Sequence, residues 1–313
     1  MLVQALADKR LVFVTGKGGV GKSTVALALG IAAARRGLRT VVAELSGQAR
    51  AAETFGVASK VGQEVALDGD GLHATSVEME HALEEYLHER AGRVGDLLTA
   101  SRAFHAFAGA TPGMRELMTV GKAWELAQDP RRIAGKAPYD LVIVDAPATG
   151  HALGGLRTPK TFAEIARVGP IAHQGRTIDA TLRDPAQTAV LAVALPEEMP
   201  VTETLDLQRR LPEAIGLELA GVVVNACLPE RLGPRQARTV ADALASAGGN
   251  RVAHAALRTA LSEHARASGQ REQIARLAEG LGSPPLVELP YLFVEILDPT
   301  ALAGLADLLE ELL

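Results

Sequence analysis

The sequence predicts an α/β fold with a mostly parallel, doubly wound sheet. Short apolar segments at residues 11–14, 38–43, 139–144, 188–195 and 219–225 alternate with longer segments of helical periodicity. Alternation of this kind builds a parallel sheet through right-handed crossovers. Hydrophobic residues make up 48% of the 313 residues and aromatic residues only 3%, so Ala, Leu and Val must form the core. Such a composition is usual in sheets that are covered by helices on both faces.

The remaining elements complete this alternation along the chain. A strand is predicted at residues 71–77 and a last short strand at residues 286–289. Helices are predicted at residues 25–34, 201–211, 235–247, 252–281 and 299–313. Gly37 stops the first helix before the second strand, as glycine does at helix C-termini.

A long helical region separates the strand at residues 71–77 from the strand at residues 139–144. It interrupts the order of the sheet, so residues 78–135 are predicted to form a helical insertion within a single domain of residues 1–313. This insertion is the candidate subdomain for a client or partner. Met114 and Met118 lie four residues apart in it and would either pack in the core or line a hydrophobic groove, since methionine adapts to varied partners.

Composition excludes several classes of partner. The formal net charge of −5 predicts no general affinity for nucleic acid or for acidic lipid. Cys227 is the only cysteine, which excludes intramolecular disulfides and cysteine-pair metal sites such as zinc sites. The sequence shows neither an apolar run of membrane-spanning length nor a signal-peptide pattern, so a cytoplasmic location is expected.

The segment GKGGVGKST at residues 16–24 carries the strongest functional pattern of the chain. It consists of Gly16, Lys17, Gly18, Gly19, Val20, Gly21, Lys22, Ser23 and Thr24. The segment follows an apolar strand and opens a helix, which is the context of a phosphate-binding loop, whose glycines let backbone N–H groups approach an anion. Lys22 would bind the β- and γ-phosphates of ATP, the Ser23 hydroxyl would hold Mg²⁺, and Thr24 would lie beside the α-phosphate. The alternative is a glycine-rich turn that binds nothing.

Asp145 directly follows the apolar run YDLVIV. Ligands of open parallel sheets bind at the carboxyl ends of the strands, where Gly16 and Asp145 are both expected. An aspartate at this place holds Mg²⁺ through a water molecule in phosphate-binding-loop enzymes. The alternative is an aspartate that caps the turn before Pro147.

The second lysine of the loop, Lys17, makes the loop similar to the deviant Walker A motif of the ParA, MinD and ArsA group of dimeric P-loop ATPases. In that group the early lysine reaches across a dimer to the phosphates of the partner's nucleotide, and the resemblance implies this role for Lys17. The segment DAPATGHALGGLRTP at residues 145–159 resembles the switch II segment of the ArsA family. There Gly150 would donate its N–H to the γ-phosphate, and His151 would serve either the nucleotide or a structural hydrogen bond.

Further segments extend the resemblance to ArsA-type ATPases over residues 11–308. TPGMRELM at residues 111–118 and LPEEMPVTET at residues 195–204 look like two other family segments. The resemblance implies that the amide of Asn225 reads adenine, as a group with both a donor and an acceptor can. It also implies that Pro290, Tyr291 and Leu292 form the loop that covers the base.

The sequence departs from several members of the wider group. A single cysteine speaks against an arsenite-binding pump, against a zinc-clamped dimer and against a nitrogenase-like iron–sulfur protein. The chain ends in the acidic sequence ADLLEELL, whereas MinD binds membranes through a basic amphipathic helix. In the switch I segment, residues 43–56, Ser46 occupies the place of the family's water-orienting aspartate. Serine cannot replace a carboxylate base, so Glu44, on the same face of an extended strand, would either take over this role or cap the strand end.

The sequence therefore predicts a dimeric, slow, ATP- and Mg²⁺-dependent ATPase of the ArsA type. Its nucleotide cycle would open and close a surface for a client protein or a membrane component. The alternative is a nucleotide-binding subunit with little turnover that pairs with a paralogous ATPase, so the dimer would be a homodimer or a heterodimer. A small-molecule kinase or synthetase is a third possibility, but the sequence shows no set of acid and base residues for a substrate.

Overall fold

The computed structural model describes residues 6, 8–69, 71–93, 97, 99–133, 135–246 and 250–310, without the side chains of residues 91, 107, 149–151, 170 and 171. Within this part of the chain one sheet contains eight strands. The strands are β1 (Leu11–Gly16), β2 (Thr40–Glu44), β3 (Val65–Asp68), β4 (Leu72–Ser76), β5 (Leu141–Asp145), β6 (Thr188–Ala194), β7 (Leu219–Cys227) and β8 (Leu286–Pro290). Their order is β3-β4-β2-β5-β1-β6-β7-β8.

Helices cover both faces of this sheet. They are α1 (Lys22–Arg35), α2 (Arg50–Thr54), α3 (Met79–Ala91), α4 (Arg102–Ala110), α5 (Met114–Leu126), α6 (Thr149–Ala166), α7 (Pro170–Arg183), α8 (Glu198–Ile215), α9 (Pro234–Ser246), α10 (Arg251–Leu281) and α11 (Pro299–Glu310). Among the described residues, no helix is both long and apolar enough to span a bilayer.

Strand pairing is parallel throughout except at one edge, where β3 pairs antiparallel with β4. The first strand lies between β5 and β6, which come from later in the chain. The chain therefore builds outward from β1 in one direction through β2 and in the other through β6. Ligands of doubly wound sheets bind at such a switch point, beyond the carboxyl ends of the strands.

Successive side chains along the strands point to opposite faces of the sheet and belong to two separate hydrophobic cores. On β1, Leu11 and Phe13 face one core while Val12 and Val14 face the other. The first core is completed by α3, α5, α6, α7, α8 and α10, and the second by α1, α2 and α11. Because both faces of the sheet are covered, the central strands are apolar throughout, as their sequences predicted.

Three helices, α2, α6 and α7, and the strand β3 were not predicted from the sequence. Helix α6 contains Gly150, Gly154 and Gly155 and carries Pro159 in its interior, all of which disfavour a helix. It forms nevertheless because Leu153 and Leu156 are buried in the first core, and burial outweighs local propensity. Helix α7 and the short edge strand β3 were likewise missed.

A buried network of charges joins the helical region to the edge of the sheet. The Arg131 side chain is fully buried, and its guanidinium lies 2.8 Å from Glu125 and 3.1 Å from Glu64. Lys122 pairs with Glu125 at 3.2 Å, and the Tyr139 hydroxyl donates to Glu64 at 2.8 Å. Burial by itself would raise the pKa of Glu64, but Arg131 and Tyr139 overcome this effect and lower it to about 2.

The network predicts that acid destabilises the fold. Since Glu64 is ionised in the folded state down to a pKa of about 2 instead of its ordinary 4.5, its contribution is complete above pH 4.5 and is lost as the pH falls toward 2. The shift corresponds to about 3 kcal/mol of unfolding free energy. We expect Glu64→Gln to lose much of this at pH 7 and to show a shallower acid dependence in denaturant titrations. The exposed Glu279→Gln on α10 is the matched control, and identical acid dependence in both variants would contradict the assignment.

Candidate functional site

The glycine-rich loop is fixed at both of its ends by close packing. Gly16 ends β1, and a Cβ atom there would lie 2.1 Å from the Val193 carbonyl oxygen of β6. Gly21 precedes α1 with a φ of 90°, and a Cβ atom there would lie 2.2 Å from the Asn225 side-chain nitrogen. Both positions therefore require glycine. A Cβ atom at Gly18 or Gly19 would meet nothing within 4 Å, so the middle of the loop is open.

The predicted phosphate ligands lie at the start of α1. The helix begins at Lys22, three residues earlier than the sequence predicted, so Ser23 and Thr24 belong to its first turn. The N–H groups of a first helical turn have no partners within the helix and suit an anion. The Lys22 ammonium donates to the Lys17 carbonyl oxygen at 3.0 Å. Burial lowers the pKa of Lys22, although the charge of Asp145 opposes this shift.

Ser23 and Asp145, the two residues that the sequence assigned to Mg²⁺, are in direct contact. The Ser23 hydroxyl donates to Asp145 Oδ2 at 2.5 Å, although 122 positions separate the two residues. The contact forms because β5 pairs with β1 and places its last residue beside the loop. Burial raises the pKa of Asp145, against the hydrogen bond from Ser23 and the charge of Lys22. Hydroxyl and carboxylate oxygens are the ligands that Mg²⁺ prefers, so the residues present fit this ion.

Glu44 is a second buried carboxylate beside Asp145. The two residues are register partners at the ends of β2 and β5, and Glu44 is 2% exposed. Its carboxylate accepts the Ala51 N–H at 3.2 and 3.3 Å and so holds the start of α2. Burial raises the pKa of Glu44 to about 7, and the charge of Asp145 adds to the shift. The strand ends at Glu44 and a turn follows, so Ser46 is exposed while Glu44 is buried. The expectation that Glu44 and Ser46 share one face of an extended strand is therefore wrong.

Arg50 adds a positive charge to the site of Glu44 and Asp145 and was not predicted from the sequence. It is the first residue of α2, and its charge acts on Glu44, Asp145 and Lys22 alike. In each case the guanidinium lowers the pKa, in opposition to burial for the two carboxylates. The sequence offered one weak signal for Arg50, namely that it is the one basic residue of segment 43–56.

Lys17 is paired within its own chain. Its ammonium lies 3.2 Å from Glu203 Oε1 on α8, and the two side chains are 31% and 38% exposed. Glu203 belongs to the family-like segment at residues 195–204, but the sequence gave it no role. A contact between Lys17 and the nucleotide of a second subunit would therefore compete with this ion pair.

Asn225 contacts the glycine-rich loop from β7. Its side-chain amide donates to the Val20 carbonyl oxygen at 3.0 Å. Directly after it, Ala226 has a positive φ of 60° and the β7–β8 register shifts, so the strand bends at this residue. The amide thus supports the loop and also lies at the strand end where the sequence predicted adenine recognition.

The predicted adenine loop lies next to Asn225 at the end of β8. The Tyr291 N–H donates to the Cys227 carbonyl oxygen at 2.8 Å, which fastens the loop to β7. Pro290 and Tyr291 are exposed, whereas Leu292 packs against the second core. Two of the three predicted residues therefore present surface for a ligand.

The switch II residues are only partly described. Gly150 lies in the first turn of α6, five residues after β5 ends. The surroundings of Gly150 and the side chain of His151 lie outside the described residues, so both predicted roles stay predictions.

Together these residues form one polar cluster at the carboxyl ends of β1, β2, β5 and β7. A glycine-rich loop, a lysine, a serine–aspartate pair and a buried carboxylate also occur together in sites of phosphoryl transfer.

Comparisons with known proteins agree with this geometry. The sequence profile of a family described as "Anion-transporting ATPase" matches residues 9–174 and 163–239. The protein "ATPase BagA" of Mycobacterium tuberculosis is 32% identical over 98% of this chain and 93% of its own length. "Arsenical pump-driving ATPase" of Escherichia coli is 29% identical over 72% of this chain, which corresponds to 36% of that protein. "ATPase get3" of Neurospora crassa is 25% identical over 72% of this chain and 76% of that protein.

The predicted α/β fold and the predicted resemblance are thereby confirmed. The profile covers most of the chain, and the mycobacterial relative extends the similarity to nearly its full length. The protein belongs to the ArsA-type, anion-transporting family of P-loop ATPases.

Proposed function

We propose that the protein is a Mg²⁺-dependent ATPase that acts as a dimer and couples its nucleotide cycle to a client or partner surface on helices α3–α7. The observation that carries this proposal is the contact between Ser23 and Asp145 beneath the confined loop. This contact supports the proposal because it brings together, from two distant segments of the chain, the residues that we propose hold phosphate and Mg²⁺.

Different residues of the site bind the phosphates of ATP and the Mg²⁺ ion. The N–H groups around Gly18 and Gly19 and the first turn of α1 hold the phosphates, and Lys22 neutralises them. Ser23 and Asp145 hold Mg²⁺, which when bound neutralises phosphate charge during phosphoryl transfer.

Glu44 is the proposed base that takes the proton of the attacking water. Its carboxylate lies beside Asp145 at the strand ends, whereas the neutral Ser46 has no charge with which to draw a proton. In the free protein a pKa of about 7 leaves Glu44 only partly ionised, and it also holds the Ala51 N–H. Both features predict slow hydrolysis.

Dimerisation gives Lys17 its proposed role. A lysine from a second subunit stabilises charge that develops on the γ-phosphate. The ion pair with Glu203 must first break, but an exposed pair of this kind is worth only about 0.2–1 kcal/mol. The ion pair therefore favours the position of Lys17 within its own subunit but is too weak to prevent Lys17 from reaching the nucleotide of a second subunit.

Helix α6 provides the proposed coupling between nucleotide and surface. It begins four residues after Asp145 and packs against α5, α7 and α8, while α3 packs against α5. A shift at the start of α6 would be passed directly to this helical layer, which includes the proposed insertion at residues 78–135.

A nucleotide-binding subunit with little turnover is the second candidate. The exposed Ser46 and the hydrogen-bonded Glu44 favour it, because neither is poised as an ionised base in the free protein. Such a subunit would bind ATP stoichiometrically and would pair with a paralogous ATPase.

The dimer proposal is tested with Lys17→Ala. We expect ATP affinity to stay within about threefold and turnover to fall roughly 100-fold, since a lost transition-state cation costs this much. Phosphate release and light scattering with ATP and Mg²⁺ measure turnover and association. Glu203→Gln should leave turnover intact and strengthen association by at most about fivefold. Lys22→Ala serves as the binding-deficient control, and normal hydrolysis by Lys17→Ala would refute the role in a second subunit.

The role of Glu44 is tested by Glu44→Gln and Ser46→Asp. The first should abolish hydrolysis while ATP and Mg²⁺ still bind, because the amide keeps the shape but loses the base. The second should raise the rate if Ser46 occupies the place of the family's aspartate. Single-turnover hydrolysis and calorimetric binding measure both effects. Rapid hydrolysis that survives Glu44→Gln would exclude this residue as the base.

The role of Asn225 is tested by Asn225→Ala. Loss of the amide leaves the Val20 carbonyl and a base edge without a partner, at a cost of about 1–3 kcal/mol. We expect ATP to bind several-fold to about 100-fold more weakly, and the preference over GTP to relax. Competition titrations with both nucleotides distinguish the two roles: weaker binding with unchanged discrimination would leave Asn225 as a support of the loop alone.

A further inference from the structure

We propose that a cavity among helices α3, α5 and α7 binds a small apolar molecule with a neutral or cationic head group. The cavity has a volume of about 340 Å³. It lies in the helical layer, and none of the loop, magnesium or adenine residues described above lines it. The proposal does not depend on nucleotide hydrolysis.

The lining of the cavity suits an apolar ligand. Its described walls include Leu83, Phe104, Leu117, Trp124 and Ile178. Met114 and Met118 add flexible thioether side chains, which adapt to ligands of varied shape. Both methionines thus line the groove that the sequence left open, and Met118 also packs against the first core.

The volume limits the size of the ligand. An apolar cavity of about 150 Å³ holds benzene, so about 340 Å³ holds roughly fourteen non-hydrogen atoms. A membrane-spanning helix of about 20 residues, 30 Å long and 10 Å wide, occupies more than about 2,000 Å³. The cavity is therefore sized for a molecule with a chain of about ten carbons or a pair of fused rings, and not for a transmembrane segment.

Charges at the wall select the head group. Lys122, 6% exposed, lies 2.7 Å from Glu85 and 3.2 Å from Glu125, so two carboxylates already hold it. The Arg132 guanidinium stacks on the Trp124 ring at 4.3 Å and is likewise engaged.

Neither cation of the lining is left for an anionic ligand. The carboxylates Glu85, Glu89 and Glu125 line the cavity with two cations, Lys122 and Arg132, and Arg131, which does not line it, pairs with Glu125 at 2.8 Å. An anionic head group would therefore enter a partly desolvated site beside carboxylates, with no cation to pair with among the described lining residues, which is unfavourable. An amine or a hydroxyl would be accepted.

The cavity contains its own spectroscopic probe, because Trp124 is the single tryptophan of the chain. We would titrate the nucleotide-free protein with decylamine, decanol and decanoate below their micelle concentrations and follow tryptophan emission. Decylamine and decanol should give saturable changes, and decanoate should bind at least about fivefold more weakly. No saturable change with any of the three, or equal affinity for all, would overturn the proposal.

Filling the cavity should abolish binding. A Cβ atom at Gly121 would lie 3.7 Å from Ile178 Cδ1, an ordinary contact, so Gly121→Leu extends into the cavity. Leucine also favours the helix more than glycine does, which helps to keep α5 folded. We expect at least a tenfold loss of affinity, with Gly121→Ala as a milder variant. Gly304→Leu on the exposed face of α11 is the matched control, and unchanged binding by Gly121→Leu would overturn the location.

The head-group preference should depend on Glu85. Glu85→Gln removes one carboxylate from the wall and should reduce the preference for decylamine over decanoate about threefold or more. An unchanged preference would overturn the charge argument. Since these titrations contain no nucleotide, their failure leaves the proposed ATPase function untouched, and a protein without ATPase activity can still bind the amphiphile.

Discussion

The close packing of Gly16 and Gly21 is the constraint on which the site depends. Gly16 lies against a backbone carbonyl of β6, where no side chain fits, and Gly21 lies against the Asn225 amide of β7 with a φ of 90°, which favours glycine. The loop between them is consequently held to the sheet at two points while its middle is open. Every proposed ligand of the phosphates takes its position from this anchoring, as does Ser23 in its contact with Asp145.

Electrostatics divide the molecule into two regions of different character. At the strand ends, burial holds Asp145, Glu44 and Lys22 away from their ordinary pKa values without satisfying them fully. Such incompletely compensated groups are typical of functional sites. In the helical layer, by contrast, Arg131 and its carboxylates satisfy one another. One region is prepared to receive charge from a ligand, and the other keeps its charges for the fold.

The sequence predicted what depends on local pattern. Continuous apolar runs identified the central strands because both faces of the sheet are buried, and the loop motif identified Gly16, Ser23 and their neighbours. It missed α6, whose glycines and Pro159 indicate a loop while tertiary burial imposes a helix. It also missed Arg50 and the partner of Lys17, Glu203, since single charged residues carry no pattern and acquire meaning only from distant neighbours.

The central place of β1 has a consequence for the order in which the protein matures. The strand that leads into the phosphate loop is hydrogen-bonded to β5 and β6, whose residues follow it by more than a hundred positions. On the ribosome the loop would therefore emerge early but stay without its supports until residue 194 has been synthesised, and Asn225 arrives later still. If the loop binds nucleotide as we propose, binding would become available only to chains that have nearly completed their sheet, and ATP would be a ligand of the finished fold rather than of its intermediates.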